Sequence, residues 1–241
     1  MISQALQHVK ARMAQACAQA QRPSSAVTLL AVSKTFPAEA VISAIEAGQR
    51  DFGENYVQEG VEKIARVASY CARQAMKVNA LPIWHFIGPL QSNKAGQVAE
   101  HFNWVHSIDR LKIAYRLSAL RPAHLPALNV CLQVNISQEA SKSGFAANDV
   151  IVAAREISHL PGLRLRGLMC IPQPTQEESE QRYTFAQLRR LFELIRGGGL
   201  ALDTLSMGMS NDLEAAILEG ATIVRVGSAI FGKREGFSKV I

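Results

Sequence analysis

Short apolar segments alternate with segments of helical periodicity along almost the whole sequence. The first apolar segment, Val27 to Thr35, reads V-T-L-L-A-V-S-K-T, and Pro37 then opens a helical pattern. A continuous apolar segment of this length is typical of a strand that is buried on both faces, as in a parallel sheet. The same alternation recurs to give eight strand-then-helix units, with no change in composition between them.

Strands that alternate with helices are joined by right-handed parallel crossovers. Eight such units in 241 residues favour a closed (β/α)8 barrel of the TIM type, which typically needs about 250 residues. We therefore expect one α/β domain over residues 1–241. The alternative is a doubly wound open sheet, but its usual mark, G-x-G-x-x-G after the first strand, is absent.

Local signals predict where several elements begin. Residues 1–22 carry apolar positions at helical spacing and are expected to form an amphipathic helix that caps the fold. Asp109 is expected to be the N-cap of the helix after the fourth strand, and Thr175 and Glu178 have the spacing of a capping box. Residues 69–82 have the least regular pattern.

The composition excludes some classes of function. The chain is 48% hydrophobic, 19% charged and 6% aromatic, which is ordinary for a globular protein with a large core. A net charge of +6 favours anionic partners, from phosphorylated metabolites to nucleic acid. Because the charges are dispersed and not interleaved with aromatic residues, nucleic-acid binding is not expected.

The four cysteines lie far apart and form neither a C-x-x-C pair nor a metal-type spacing with histidine. This usage predicts a reduced, cytoplasmic protein without a metal site. No segment approaches the roughly 18 unbroken apolar residues of a membrane span, and the N-terminus lacks the compact apolar region of a signal peptide. The helix faces carry no unexplained apolar patch, so a monomer is expected.

Lys34 stands at the carboxyl end of the first predicted strand. Parallel α/β folds build their sites at this end, although a single lysine there is usually a solvated loop residue. A second observation comes from the loops after the seventh and eighth predicted strands. These read S-M-G-M-S-N-D (206–212) and R-V-G-S-A-I-F-G (225–232).

In barrels the loops after strands seven and eight commonly bind phosphate, together with a short extra helix. Ser210 is expected to begin one helix and Gly227-Ser228 another, so that amide N–H groups and hydroxyls converge on an anion. Taken singly, Ser210 is an ordinary N-cap and Gly227-Ser228 an ordinary tight turn. The two loops together, in this order, predict a phosphate site.

A lysine and a phosphate site on the same face of one barrel predict a phosphorylated aldehyde held as a Schiff base. Pyridoxal 5'-phosphate (PLP) fits that description. Arg225, on the last predicted strand, would then be placed to meet the pyridine nitrogen. The competing interpretation is an arginine that is paired with a carboxylate.

Six stretches of the sequence resemble one known family. They read L-L-A-V-S-K-T, F-G-E-N-Y-V-Q-E, W-H-F-I-G-P-L-Q-S-N-K, L-R-L-R-G-L-M, S-M-G-M-S-N-D-L-E-A-A-I and V-R-V-G-S-A-I-F-G, and they lie between residues 27 and 232. On these stretches the chain is similar to the pyridoxal phosphate homeostasis proteins (the YggS/PROSC type). The resemblance implies a barrel like the N-terminal domain of alanine racemase, with PLP bound as an internal aldimine and no established catalytic turnover.

The resemblance also implies roles for individual residues. Lys34 matches the Schiff-base lysine, Arg225 the residue that faces the pyridine nitrogen, and Asn55 a residue that lines the cofactor. The phosphate-contacting positions are matched by Ser210, Gly227 and Ser228.

Three positions depart from the family pattern, one of them Cys170, which stands in place of a small alanine-like residue without a consequence that can be argued. Asn211 stands where an acidic residue is frequent, and Ser228 stands where threonine is common. Because serine keeps the hydroxyl, phosphate binding should survive, and the loss of a negative charge at Asn211 should do no harm.

The predicted function is therefore PLP binding in intracellular vitamin B6 homeostasis, with PLP-dependent apoenzymes as candidate partners and no catalytic residue. An arginine stays protonated at physiological pH, so Arg225 would keep the pyridine nitrogen unprotonated and the ring a poor electron sink. Related racemases take a second acid/base residue from a further β-domain, which is not expected because the chain ends at Ile241, soon after the barrel.

Two alternatives stay open. One is a PLP-dependent amino-acid racemase of narrow scope whose second base lies within the barrel, with His85 as a candidate, although a hydrogen-bonded core histidine is the more ordinary interpretation. The other is a class I aldolase-type lysine that acts on a sugar phosphate. Lys142, in the loop after the fifth strand, is the competing lysine for attachment of an aldehyde.

Overall fold

The computed structural model describes residues 1–137 and 143–232, and these form a closed barrel of eight parallel strands. Each strand pairs with its neighbours in sequence, and β1 closes the barrel by pairing with β8. The (β/α)8 fold is thereby confirmed, and the doubly wound sheet is excluded. The strands are β1 (Thr28–Val32), β2 (Asp51–Glu54), β3 (Ile83–Phe86), β4 (Trp104–Ile108), β5 (Leu128–Gln133), β6 (Leu163–Met169), β7 (Thr204–Ser206) and β8 (Ile223–Val226).

Helices form the outer layer of the barrel. In the described ranges they are α1 (Ile2–Gln19), α2 (Ala38–Glu46), α3 (Val57–Arg73), α4 (Ala95–His101), α5 (Leu111–Leu120), α6 (Asp149–Ser158), α7 (Glu178–Gly197), α8 (Leu213–Leu218) and α9 (Ser228–Phe231). Each buries one apolar stripe against the strands, as helical periodicity requires. On α7, for example, Phe185, Leu188 and Ile195 are buried.

The N-terminal helix lies at the seam between the last and the first strand. Helix α9 has only four residues and cannot cover that part of the barrel wall. Helix α1 packs against α2, α8 and α9 and buries Leu6, Val9 and Met13 there. It therefore caps the fold from the side, within the outer layer of helices.

Three predictions of local structure are wrong. Helix α5 begins after Arg110, which is its N-cap, and Asp109 instead pairs with the Arg110 guanidinium at 2.7 Å. Thr175 does not form a capping box with Glu178, because its hydroxyl donates to the Glu180 carboxylate at 2.6 Å. Residues 69–73, expected to be irregular, continue helix α3. In the first two cases the side chain pairs with a residue outside the predicted pattern.

Among the described residues, no helix combines the length and the apolar character that a membrane crossing requires. Lys142, the competing lysine, lies outside the described residues.

Candidate functional site

A cavity of about 580 Å³ opens at the carboxyl ends of the strands. The sequence-predicted residues that line it are Lys34, Asn55, Ser210, Arg225, Gly227 and Ser228. They come from β8 and from the loops after β1, β2, β7 and β8. Barrel closure thus brings all six together, while their roles toward a cofactor stay predictions.

Lys34 lies in a tight turn two residues beyond β1. The Phe36 N–H donates to the Ser33 carbonyl at 3.0 Å, so Lys34 and Thr35 are the two central residues of the turn. Thr35 has φ = +68°, a backbone conformation that a β-branched residue rarely adopts. The turn presents the half-buried Lys34 side chain to the cavity.

Three buried or partly buried charged side chains, Lys63, Glu54 and Glu59, lie beneath this turn; we call them the ion cluster. The Lys63 ammonium donates to Glu54 Oε1 at 2.6 Å and to Glu59 Oε1 at 2.8 Å. It is only 4% exposed, and Glu54 is fully buried. Burial raises the pKa of Glu54, an effect that the nearby Lys63 charge opposes. Sequence reasoning missed this cluster.

Asn55 follows directly on β2 and faces the cavity. Its Oδ1 atom is buried and has no hydrogen-bond partner among the residues that the structure describes. The loop passes very close to Gly88, where a Cβ atom would lie 2.0 Å from the Asn55 carbonyl oxygen. The G-P-L segment after β3 therefore needs glycine to admit Asn55, whose side chain keeps an unused acceptor for a ligand.

The loops after β7 and β8 form the adjoining wall, because β8 pairs with β1. Gly227 is the N-cap of α9, as predicted. Ser210 does not begin a helix, because α8 starts at Leu213 with Asp212 as its N-cap. The Asp212 carboxylate accepts the Met209 N–H and holds the loop instead.

The two serine hydroxyls of this wall are neighbours. Ser228 Oγ lies 3.4 Å from Ser210 Oγ, so two loops that are distant in sequence place a pair of hydroxyl groups at one point of the cavity. Gly227 packs against β1, and a Cβ atom there would lie 3.1 Å from the Val32 carbonyl oxygen. Hydroxyls next to glycine backbone can donate several hydrogen bonds to one anion.

Arg225 is buried in the barrel wall, and its guanidinium is held by backbone groups. It donates to the Ser206 carbonyl at 2.6 Å, to Ser206 Oγ at 2.9 Å and to the Cys170 carbonyl at 2.8 Å. Within the described part of the chain no salt bridge of Arg225 is found, so the carboxylate-paired interpretation is not supported there. Burial lowers the pKa of Arg225 from its ordinary value, but a guanidinium remains charged at neutral pH.

A chain of hydrogen bonds runs from Arg225 through the barrel interior. Ser206 Oγ lies 2.8 Å from His106 Nδ1, His106 Nε2 lies 2.9 Å from His85 Nδ1, and His85 Nε2 lies 3.1 Å from Asp51 Oδ1. We call these five residues the interior hydrogen-bond chain. Burial lowers the pKa of both histidines, and that of His106 well below 6.5, with contributions from the charges of His85 and Arg225.

The direction of the interior hydrogen-bond chain follows from its two ends. Arg225 can only donate and the Asp51 carboxylate can only accept. With both imidazoles neutral, Ser206 then donates to His106 Nδ1, His106 Nε2–H to His85 Nδ1, and His85 Nε2–H to Asp51. His85 is thus a hydrogen-bonded core residue, as its ordinary interpretation predicted, and it does not line the cavity.

No specific signal in the sequence pointed to the other members of the interior hydrogen-bond chain. His106 and Ser206 each lie within a short strand, and their contact spans 100 residues. A histidine among apolar and aromatic neighbours is common in strands. Only the barrel, which turns alternate side chains inward, joins them.

The arrangement can perform two chemical tasks at adjoining walls of one cavity. A primary amine on the β1 side can attach to a carbonyl carbon. Hydroxyls and glycine backbone on the β7–β8 side can bind an anion. The volume lies within the range of about 300–1,000 Å³ typical of sites for small molecules and cofactors.

Comparison with known proteins agrees with this geometry. The profile of the family described as "Alanine racemase, N-terminal domain" matches residues 4–235. A pyridoxal phosphate homeostasis protein from Pseudomonas aeruginosa is 57% identical over 97% of this chain and 96% of its own.

Solved structures show the same likeness. A protein described as unknown from Bifidobacterium adolescentis has a TM-score of 0.88 at 39% identity, over 95% of this chain and 94% of its own. PipY from Synechococcus elongatus, solved with PLP bound, has a TM-score of 0.80 at 36% identity, over 96% of this chain and 100% of its own. The chain therefore belongs to the alanine racemase N-terminal domain family and, within it, to the pyridoxal phosphate homeostasis proteins.

Proposed function

We propose that this protein binds PLP through Lys34 and serves in intracellular PLP homeostasis, without catalytic turnover of its own. The observation that carries the proposal is the convergence of an amine, a buried arginine and two neighbouring hydroxyls on one cavity. It is supported by the name of the P. aeruginosa relative and by the PLP-bound PipY structure.

The residues present fit PLP. When bound, PLP supplies an aldehyde that a primary amine can attack and a pyridine ring that can accept electrons. Lys34 provides the amine, while Ser210, Ser228 and the Gly227 backbone would bind the phosphate. Arg225 would donate to the ring nitrogen. The buried acceptor of Asn55, which lacks a partner in the described part of the chain, leaves a place for a hydrogen-bond donor of the ligand.

The side chains of the cavity favour a carrier over an enzyme. Two-base racemisation needs a second acid/base group beside the cofactor, and the described residues that line the cavity include no histidine, cysteine, tyrosine or glutamate. Their carboxylate, Asp212, already accepts the Met209 N–H and holds its own loop. His85 is committed to the interior hydrogen-bond chain. Arg225 opposes protonation of the ring nitrogen, which would weaken the ring as an electron sink. Binding and release of PLP is the chemistry that remains.

We extend the proposal to partners and location. The chain would act as one PLP-binding domain, as a monomer, that supplies PLP-dependent apoenzymes. The buried cysteines Cys17, Cys71 and Cys131, which form no disulfide in the described part of the chain, favour a reducing compartment such as the cytoplasm.

The direct test compares the absorbance of the purified protein before and after addition of PLP. The wild type should turn yellow, and borohydride should fix the cofactor on the peptide that contains Lys34. Lys34→Ala should lose the yellow adduct and keep part of its affinity for the phosphate. Lys112→Ala, at an exposed position of α5, is the matched control and should behave as wild type.

Two results would contradict the assignment. One is a protein that takes up no PLP, and the other is an adduct on a different lysine such as Lys142. A second assay incubates the holoprotein with a panel of amino acids and follows their enantiomeric composition. Turnover that is lost in Lys34→Ala would replace the carrier by a racemase.

A further inference from the structure

The residues on both sides of Lys34 are tied to the ion cluster. Lys63 Nζ donates to the Ser33 carbonyl at 2.8 Å, and Ser33 Oγ donates to Glu54 Oε1 at 2.6 Å. On the other side, the Thr35 N–H donates to Glu59 Oε1 at 2.6 Å. Three side chains from β2 and α3 therefore hold the turn that carries Lys34.

The turn needs this support. A type of turn with positive φ at its third residue ordinarily has glycine there, but this chain has Thr35 at φ = +68°. A residue in such a conformation persists only where its surroundings impose it. The hydrogen bond from Thr35 to Glu59, and those from Ser33 to Lys63 and Glu54, are the contacts that impose it.

The ion cluster has no direct access to a ligand. Neither Lys63, Glu54 nor Glu59 lines the cavity, and Lys63 and Glu54 are 4% and 0% exposed. A buried ion pair is also a poor way to gain stability, because desolvation offsets much of the attraction. The specific contribution of the ion cluster is therefore its set of hydrogen bonds to Ser33 and Thr35.

We infer that Lys63, Glu54 and Glu59 are positioning residues, which fix the turn of residues 33–36 so that the Lys34 amine is presented to the aldehyde of PLP. The inference rests on the proposed function. In the attachment, the Lys34 nitrogen adds to the aldehyde carbon, and the carbonyl oxygen leaves as water with the two protons of the amine. The ion cluster exchanges no proton in this reaction and acts only through the backbone.

The test separates attachment of the aldehyde from binding of the ring and phosphate. Pyridoxamine 5'-phosphate carries the same ring and phosphate but has no aldehyde, so its affinity does not depend on Lys34. In Lys63→Met we expect the rate of PLP attachment to fall at least about tenfold, as misplacement of a reacting group does. The affinity for pyridoxamine 5'-phosphate should stay within about twofold, since the hydroxyl wall is untouched.

Lys112→Met is the matched control, at an exposed position of α5, and should leave both quantities unchanged. An unchanged attachment rate in Lys63→Met overturns the inference, and so does a parallel loss of both quantities, which indicates general damage to the fold. A wild type that takes up no PLP refutes the proposed function itself. A wild type and a Lys63→Met variant that take it up equally fast refute the inference alone.

Two further variants keep the inference testable if Lys63→Met folds poorly. The double variant Glu54→Gln, Lys63→Met removes the fully buried charge of each sign, and it should fold while still attaching PLP slowly. Adding Thr35→Gly, which accepts the positive φ without help, should restore most of the rate. Failure of this rescue overturns the inference.

Hydrogen exchange gives a readout that needs no cofactor. The Thr35 amide should be protected in the wild type and should exchange at least about tenfold faster in Lys63→Met, because its acceptor Glu59 loses its partner. Equal protection of this amide in both proteins overturns the inference.

Discussion

The two walls of the cavity are held in place by different physical means. The lysine side, comprising residues 33–36 and 54–55, rests on the ion cluster, whose hydrogen bonds fix a strained turn. The glycine side, comprising residues 207–212 and 227–228, rests on backbone packing. There Gly208 takes φ = +92°, and Asp212 holds the loop locally.

The difference teaches which kind of change each wall tolerates. Where a β-branched residue has positive φ, side chains must impose it, so the lysine side should respond to removal of charge. Where glycine has positive φ, no partner is needed, so the glycine side should respond to added volume. The two sides should also differ in function. The lysine side should set the rate of PLP attachment, and the glycine side should set the affinity for the phosphate.

The largest expected effect is on the lysine side. Lys63→Met removes one partner of a buried ion pair and leaves the Glu54 carboxylate uncompensated. The free energy of unfolding should fall by about 3–5 kcal/mol, as measured by denaturant titration. Lys112→Met should change it by less than about 0.5 kcal/mol. If the free energy of unfolding of Lys63→Met falls by less than about 1 kcal/mol, the ion cluster does not stabilise the lysine side.

On the glycine side, a single methyl group should have an effect nearly as large. In Gly208→Ala the new Cβ would lie 2.5 Å from the Ala216 Cβ, at a positive φ. Backbone strain and overpacking together should lower the free energy of unfolding by about 2–4 kcal/mol. Gly197→Ala is the matched control, since nothing lies within 4 Å of its Cβ in α7. It should be neutral or slightly stabilising, and equal effects at both positions would contradict the comparison.

The division of work can be tested at Ser228. Ser228→Ala removes one hydroxyl of the pair that it forms with Ser210. Affinity for pyridoxamine 5'-phosphate should fall about tenfold, the value of a hydrogen bond to a charged group. The rate of PLP attachment at saturating PLP should stay unchanged. Ser228→Thr keeps the hydroxyl and should retain the affinity. A loss of affinity in both variants would show that the shape of the side chain, and not the hydroxyl, causes it.

A further effect concerns the interior hydrogen-bond chain, which runs from Arg225 on β8 to Asp51 on β2. Since the pKa values of His85 and His106 are lowered by folding, the unfolded chain takes up protons first as the pH falls below 6.5. Stability should be complete above that pH and should decline below it, by up to about 1.4 kcal/mol per pH unit for each histidine. Denaturant titrations at several pH values measure this slope.

A difference between variants isolates the histidine contribution. His106→Asn should flatten the slope below pH 6.5, whereas His124→Asn, at an exposed position, should keep it. The raised pKa of Glu54 acts in the opposite direction, because its contribution is present below about pH 4.5 and is lost as the pH rises through its folded-state pKa. If the wild type, His106→Asn and His124→Asn show the same slope of stability against pH, the buried histidines are not its cause.

The fold and part of the cavity lining were predictable because their signals are local. Alternating apolar segments predict the barrel, and the ends of the strands place Lys34 and Gly227 on one face. Asn55 was expected only from the resemblance to a known family. The ion cluster was not predictable, since Lys63 follows Glu59 by four residues and looks like an ordinary surface pair on a helix. Its burial comes from the Glu54 side chain on β2. Asp109 failed as an N-cap for the same kind of reason, because it pairs with Arg110.

The pairing of β1 with β8 has a consequence for the newly made protein. Leu30 pairs with Arg225 and Ala31 with Val226, so the first and last strands of the barrel meet only when nearly the whole chain has been synthesised. Lys34 leaves the ribosome early, whereas Arg225 and Gly227 leave it late. On the proposed function, capture of the cofactor would therefore require a closed barrel, and a truncated chain that lacks β8 would present Lys34 without Arg225 and Gly227.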